Sequence, residues 1–254
     1  MSIIKRLFVI IKQTFDYDFF IFYVCAIISA INHNRDENVA MHYNAKQLQI
    51  IDVAERLFAR KGFTGTSVRD IAQEANVNVS MISYYFGSKE KLIEALFELR
   101  ANESRLRIEH VLLLEGLTPI QKVYIMIDGV IDRIWGNECF HTIIMRQQLS
   151  GERTTYISDH IMALKVSNSE LMLRLITEGQ EAGVFRKNID LSLLTTTLFG
   201  TINQAIATQD FYRKINHLEH LDDQEFRNLL KRRLNMHLKN LFKLTVSNEQ
   251  NNEQ

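Results

Sequence analysis

The sequence predicts an all-α protein, and three observations carry that prediction. Its 254 residues include one proline and ten glycines, so little in the chain interrupts long helices. Apolar residues recur at three-to-four spacing from Leu48 onward, which is the period of amphipathic helices. Hydrophobic residues make up 46% and charged residues 24% of the chain, which is the composition of a folded globular protein.

Charge, cysteine content and the lack of known catalytic motifs exclude several classes of function. The 30 basic and 30 acidic residues balance, so binding to nucleic acid or acidic lipid needs a local patch. Cys25 and Cys139 lie far apart without a CxxC motif, which excludes a disulfide framework and a zinc ribbon and favours the cytoplasm. No dinucleotide, P-loop, serine hydrolase or zinc protease motif occurs. We therefore expect no enzyme, no metal and no cofactor.

The first forty residues differ from the rest of the chain. The stretch from Phe19 to Ile31 carries no charge, but as a helix it is short of the roughly 30 Å hydrocarbon core of a bilayer. Three interpretations stay open for residues 1–40: an upstream stretch outside a working protein that starts at Met41, a membrane anchor, or an ordered extra helix. We favour the first.

Residues 46–99 have the pattern of a helix-turn-helix. An amphipathic helix ends at Gly62, and Thr66 or Ser67 caps a short second helix that begins at Val68. A three-residue turn at Asn76 precedes a third helix that ends at Phe86. If Val77, Ile82 and Phe86 are buried, the opposite face of this third helix points outward. That face carries small and hydrogen-bonding side chains, which suit a DNA major groove: Val79, Ser80, Ser83 and Tyr84.

Four segments match the pattern of a known family in residue type and in spacing: Leu57–Phe63, Thr66–Ala72, Ala75–Val77 and Ile82–Leu92. They resemble the DNA-binding domain of the TetR/AcrR family of bacterial transcriptional regulators. Two positions depart from the family pattern, because Asn76 replaces a turn glycine and Ser83 stands where a tyrosine is frequent. The resemblance implies that Val79, Ser80, Ser83 and Tyr84 face base edges. It also implies that Thr66, Ser67, Tyr85 and Lys89 hold the DNA backbone.

Four regions follow: an N-terminal extension (1–40), a TetR-type helix-turn-helix domain (41–99), a helical ligand-sensing and dimerisation domain (100–246) and a polar disordered tail (247–254). The last two long helices each carry an apolar stripe. By resemblance these stripes form a dimer interface, while the alternative is the core of a single chain. The predicted interface residues are Leu194, Leu198, Ile202, Ala205, Phe226, Leu230, Leu234 and Leu238.

The middle helices are predicted to enclose a pocket for a small apolar ligand. Its predicted lining residues are Tyr124, Met126, Trp135, Phe140, His141, Met145, Met162, Phe199 and Asn203. The resemblance thus implies a ligand-released repressor that binds a palindromic operator as a homodimer. The alternative is a membrane-tethered helical DNA-binding protein that uses residues 19–31 as its anchor.

Overall fold

The computed structural model describes residues 43–149 and 155–248, and these residues form helices without a strand. The ten helices are α1 Ala45–Lys61, α2 Val68–Glu74, α3 Val79–Phe86, α4 Lys89–Leu113, α5 Pro119–Gly136, α6 Glu138–Leu149, α7 Thr155–Glu181, α8 Leu191–Ala207, α9 Gln209–Ile215 and α10 Asp223–Val246. The predicted all-α class is confirmed. The interpretations of residues 1–40 fall outside the described residues.

The helices begin where the sequence supplies caps. Thr118 caps α5 ahead of Pro119, and its hydroxyl accepts the amide of Gln121, whose side chain returns to the Thr118 amide. This capping box satisfies amides that the first helical turn leaves open. Asp222 caps α10 in the same way, with Glu225 as its partner.

The C-terminal helices pack around one large apolar cluster. Buried side chains from α5, α7, α8 and α10 meet there, including Ile127, Leu175, Leu198 and Leu238. A smaller cluster joins the start of α10 to the loop before it through Leu218, Phe226 and Leu230. The longest helices α4 and α7 lie against each other and against α5. Together these helices form the body that carries the cavity described below.

The end of α10 is held by the loop between α7 and α8. Ser247 pairs with Phe185 in an isolated antiparallel bridge, and the Arg186 amide donates to the Val246 carbonyl at 2.9 Å. The Phe185 ring lies against α7 at Gly179, where an added Cβ would stand 1.9 Å from a ring carbon. The prediction of a disordered tail from 247 onward is therefore wrong for residues 247 and 248, because they pair with this loop.

No helix among residues 43–149 and 155–248 is both long and apolar enough to cross a membrane.

Candidate nucleic-acid interface and inner cavity

The turn between α1 and α2 is held by hydrogen bonds from a buried side chain. Gly62 ends α1 with a positive φ of 78°, as the glycine pattern predicts. The Thr66 side chain is 1% exposed, and its hydroxyl donates to the carbonyls of Gly62 at 2.8 Å and Leu57 at 3.3 Å. The prediction that the Thr66 side chain contacts DNA is therefore wrong, because its hydroxyl is used to close the turn.

Local hydrogen bonds fix α2. The Ser67 hydroxyl accepts the Asp70 amide at 3.1 Å, and the Asp70 carboxylate accepts both the Ser67 amide at 2.9 Å and the Ser67 hydroxyl at 2.5 Å. Lys61 adds an ion pair to Asp70 at 3.0 Å. The hydrogen bonds from Ser67 lower the pKa of Asp70 well below its usual range, and Lys61 lowers it further. Ser67 itself is exposed beside this cap.

The turn into α3 tolerates its missing glycine. Asn76 adopts a positive φ of 50°, in the left-handed region that asparagine enters more readily than other side chains. Asn78 then caps α3, since its Oδ1 accepts the Ser80 amide at 2.9 Å. The short turn and the cap set the direction of α3.

The two faces of α3 separate, although Val77 and Phe86, which were predicted to be buried with Ile82, are only half-buried. Ile82 is 1% exposed and anchors the helix. The opposite side chains are exposed, with Tyr84 at 83% and Val79 at 40% of their free surface. Ser80 and Ser83 are exposed on the same helix. This outward face of α3 can approach a groove without a bulky charge in the way.

Tyr85 and Lys89 lie at the edge of that face. Tyr85 is half-buried, with its ring 5.2 Å from the Tyr84 ring and 6.4 Å from the Phe86 ring. The Lys89 ammonium donates to the carbonyls of Phe63 and Thr66, both at 2.9 Å, and lies 4.3 Å from the centre of the Phe63 ring. Two of its three donors thus hold the α1–α2 turn.

An ion-pair group joins α1 to α4. The Arg100 guanidinium contacts the buried Glu55 carboxylate at 2.5 Å and Glu103 at 3.0 Å, with Asp52 at 3.8 Å. Burial raises the pKa of Glu55, and Arg100 opposes this effect. Breaking a buried pair costs more than breaking a surface pair, because the remaining charge stays desolvated. We call Asp52, Glu55, Arg100 and Glu103 the Arg100 group.

A cavity of about 410 Å³ lies among the C-terminal helices. This volume falls within the roughly 300–1,000 Å³ of small-molecule sites. Helix α4 contributes part of its wall through Arg100, Glu103, Ser104 and Ile108. Side chains from α5, α6, α7 and α8 complete it, and most of the surface that lines the cavity is apolar.

Six of the nine predicted pocket residues lie on this wall: Met126, Phe140, His141, Met145, Phe199 and Asn203. The other three do not. Met162 is 63% exposed, because α7 turns Ile161 and Leu164 toward the cavity instead. Tyr124 lies near the Lys239 ammonium, 5.7 Å from its ring centre, and Trp135 packs against both apolar clusters. For Tyr124, Trp135 and Met162 the prediction is wrong, because helical spacing did not tell which neighbour each side chain meets.

The cavity contains a cation that the sequence pattern did not reveal. The Arg133 guanidinium donates to the Ser104 hydroxyl, which in turn donates to Asn168 at 3.1 Å. Burial lowers the pKa of Arg133 to about 10, the nearby charge of Arg107 adds to this effect, and the more distant charge of Glu103 opposes it. Burial also lowers the pKa of His141, with Arg133 as a second cause, so the imidazole is neutral at pH 7.

The predicted dimer residues lie inside the chain. Ala205 is half-buried against the large cluster. The other seven are at most 6% exposed within the single chain: Leu194, Leu198, Ile202, Phe226, Leu230, Leu234 and Leu238. They belong to the intramolecular core, which was the alternative interpretation, and they are not available to a second copy. An apolar stripe marks the buried face of a helix but does not identify what covers it. The same helices expose other apolar side chains, namely Leu193, Met236 and Leu244.

Comparison with known proteins identifies the first part of the chain. Residues 50–96 match the model of the bacterial regulatory proteins of the tetR family. The chain belongs to the TetR family. It is thus a DNA-binding transcriptional regulator, and the family is not one of enzymes.

Relatives of this TetR-family chain extend the likeness beyond residue 96. It is 26% identical over 164 residues to the fatty acid metabolism regulator protein of Bacillus subtilis, covering 64% of this chain and 82% of the relative. It is 31% identical over 140 residues to the transcriptional repressor NicS of Pseudomonas putida, covering 55% and 66%. The solved structure of FadR from Bacillus subtilis in complex with stearoyl-CoA has a TM-score of 0.56 at 23% identity, covering 75% of this chain and 96% of that chain. This structural likeness concerns the fold.

Proposed function

We propose that this regulator is a repressor that binds a palindromic operator as a homodimer and is released by a small ligand. The observation that carries the proposal is the course of α4. This helix begins at Lys89, directly after the outward face of α3, and its middle forms part of the cavity wall. One continuous helix thus connects the DNA-facing helix to the ligand space. We assign residues 41–99 to DNA reading and residues 100–246 to sensing and dimerisation.

For DNA reading we assign the base edges to Val79, Ser80, Ser83 and Tyr84. Their exposure and the absence of charge among them support close approach to the major groove. We assign backbone contacts to Ser67, Tyr85 and Lys89. Lys89 keeps one donor beyond the two that hold the α1–α2 turn, so its proposed role combines positioning with a phosphate contact.

For dimerisation we keep α8 and α10 but assign their outer faces. Leu193 is 64%, Met236 62% and Leu244 80% exposed, and the buried stripes next to them hold each helix in place. A two-fold dimer presents two recognition helices to half-sites about 34–36 Å apart, which a palindrome requires.

For the ligand, the relatives supply the supporting precedent. One relative is named a fatty acid metabolism regulator, and the FadR structure of similar fold holds stearoyl-CoA. The mostly apolar wall of the cavity is consistent with an apolar or amphipathic molecule.

For release, the Arg100 group supplies a route. Arg100 and Glu103 line the cavity, while Glu55 belongs to α1 of the DNA-binding domain. A ligand that displaces Arg100 or tilts α4 would change the position of α1 and α3. Because simultaneous contact with two half-sites depends on their separation, a shift of a few ångströms at each domain is enough to weaken binding.

Selection from a random pool of DNA duplexes with the full chain tests the proposal. We expect enrichment of sequences with two symmetric half-sites, and one dimer per duplex by ultracentrifugation. Tyr84→Ala, which changes an exposed side chain, should fold normally and fail to enrich the same sequence. Enrichment of a single, unpaired half-site would contradict the homodimer, and no enrichment at all would contradict specific DNA reading.

A further inference from the structure

Two cations on the cavity wall have no ion-paired carboxylate among the described residues: Lys165, which is exposed to solvent, and Arg133, which is less exposed. Arg133 lines the wall, and its one hydrogen bond to a side chain goes to the neutral Ser104 hydroxyl. Across residues 43–149 and 155–248, no acidic side chain lies within 4 Å of the Arg133 guanidinium. A desolvated guanidinium without a counter-charge is costly, so its retention in a cavity points to a partner that arrives with the ligand.

The nearest acids are already engaged. Glu103, the one acidic residue on the cavity wall, accepts two hydrogen bonds from Arg100, at 3.0 and 3.1 Å. Arg100 is therefore paired twice, with Glu55 and with Glu103, while Arg133 is left open. The Ser104–Asn168 hydrogen bond fixes the hydroxyl that holds Arg133, so the guanidinium is oriented before a ligand binds.

Several large apolar side chains on the wall are suited to contact with a hydrocarbon. Met126, Val130, Phe140, Ile161, Met172 and Phe199 lie on it. His141 also lies on the wall, and because its pKa is lowered its imidazole offers a hydrogen-bond donor and not a further positive charge. The wall thus combines the Arg133 guanidinium with these apolar side chains and with neutral polar ones such as Gln148 and Asn203.

We propose that the inducing ligand is an amphipath whose anionic group pairs with Arg133 and whose hydrocarbon part lies among the apolar side chains. This proposal rests on the proposed function, since it names the ligand class of the same cavity. A guanidinium presents donors in a planar fork that matches the oxygens of a carboxylate or a phosphate. A neutral hydrocarbon would displace water from Arg133 and leave the charge uncompensated.

Isothermal titration of the full chain without DNA tests the proposal with three probes of equal chain length. Dodecanoate and dodecyl phosphate carry the two anionic groups, and dodecan-1-ol is neutral. We expect at least one anionic probe to bind about tenfold or more tightly than the alcohol. The better of the two distinguishes a carboxylate from a phosphate. Binding of the alcohol as tightly as both anions would overturn the proposal.

Three variants locate the effect. Arg133→Met should reduce affinity for the anionic probe about tenfold or more and leave the alcohol unchanged, while Arg133→Lys should restore part of the loss. Lys165→Met is the matched control, because Lys165 also lines the cavity but is exposed to solvent. Equal losses in Arg133→Met and Lys165→Met would show a general charge effect and overturn the proposal. Because no DNA is present, this result is independent of the duplex selection that tests the regulator function.

Discussion

The DNA-binding domain and the C-terminal helices differ in how far apart in the chain their paired polar groups stand. Both use caps between near neighbours, such as Ser67 to Asp70 and Thr118 to Gln121, and in the first Lys89 also reaches the Phe63 carbonyl, 26 positions away. In the second, the important pairs join distant positions, such as Lys122 to Glu178 and Lys239 to Asp128. Near-neighbour pairs are visible as motifs in a sequence, whereas distant pairs exist only once the helices have packed.

The largest effect, on stability, should come from a substitution in the apolar stripe of α8, which was predicted to form a dimer interface and lies in the core of the single chain. Leu198 is fully buried and Leu193 is 64% exposed on the same helix α8. Leu198→Arg places a charge in the intramolecular core, so we expect a loss of at least about 4 kcal/mol in stability and a reduced helical circular dichroism signal.

Leu193→Arg is the matched variant. It should keep the helical signal but shift the protein toward monomer in ultracentrifugation, because it puts a charge on the proposed dimer face. A folded, monomeric Leu198→Arg variant would instead favour the interface assignment of the buried stripe. A dimeric Leu193→Arg variant would move the interface away from the outer face of α8.

The same difference in contact range explains what the sequence could and could not predict. The cap at Ser67, the turn at Asn76 and the outward face of α3 followed from local pattern. The apolar stripes predicted correctly which faces are buried. They could not tell an intramolecular neighbour from a second copy, since both bury the same surface.

The missed residues show the same limit. Arg100 and Arg133 occupy ordinary positions in amphipathic helices, and nothing local distinguishes them from surface charges. Glu55 occupies a position on the apolar face of α1, between Ala54 and Leu57, which was the one available signal. The lack of a carboxylate beside Arg133 depends on the packing of α4, α5 and α7, so no sequence pattern could have shown it.

The second effect concerns the long-range pair that joins the two regions. Arg100→Met leaves the buried Glu55 carboxylate without its partner, and we expect a loss of about 3 kcal/mol. Under the proposed release mechanism, the variant should also show weaker coupling between ligand and DNA affinity. Denaturant unfolding measures the first quantity, and titration of dodecanoate with and without the selected duplex measures the second.

Arg105→Met is the control on the same helix. Arg105 pairs with Glu109 at 3.6 Å and is 50% exposed, so its loss should cost at most about 0.5 kcal/mol. Similar losses for the two arginines would remove the special role assigned to the Arg100 group.

The third effect is confined to DNA binding. Tyr84 is 83% exposed, so Tyr84→Ala should change stability by no more than about 0.5 kcal/mol. If Tyr84 lies against a base edge, affinity for the selected duplex should fall about tenfold while affinity for unrelated duplexes stays the same.

Tyr85→Phe, at the half-buried neighbour, should instead weaken binding to all duplexes alike, because contacts to the DNA backbone position the protein without reading sequence. Fluorescence anisotropy with both duplexes separates the two patterns, and a uniform loss in Tyr84→Ala would assign it to the backbone as well.

The smallest effect concerns the Ser67–Asp70 cap, and it tests whether these local hydrogen bonds stabilise α2 in addition to its packing. The pKa of Asp70 is lowered in the folded chain, chiefly by hydrogen bonds from Ser67, so its charged form is favoured by folding. Such a carboxylate contributes stability above its unfolded pKa of about 3.9 and loses that contribution as the pH falls further. Asp70→Asn should therefore lower the melting temperature at pH 7, and the difference from the unchanged chain should shrink at pH 3. In a Ser67→Ala background the same substitution should have less effect at pH 7, because the cap that depends on the charge is already gone. Melting curves of the four proteins at the two pH values measure both differences. An Asp70→Asn effect that is equal at both pH values, or equal with and without Ser67, would show that α2 is held by packing and not by its local hydrogen bonds.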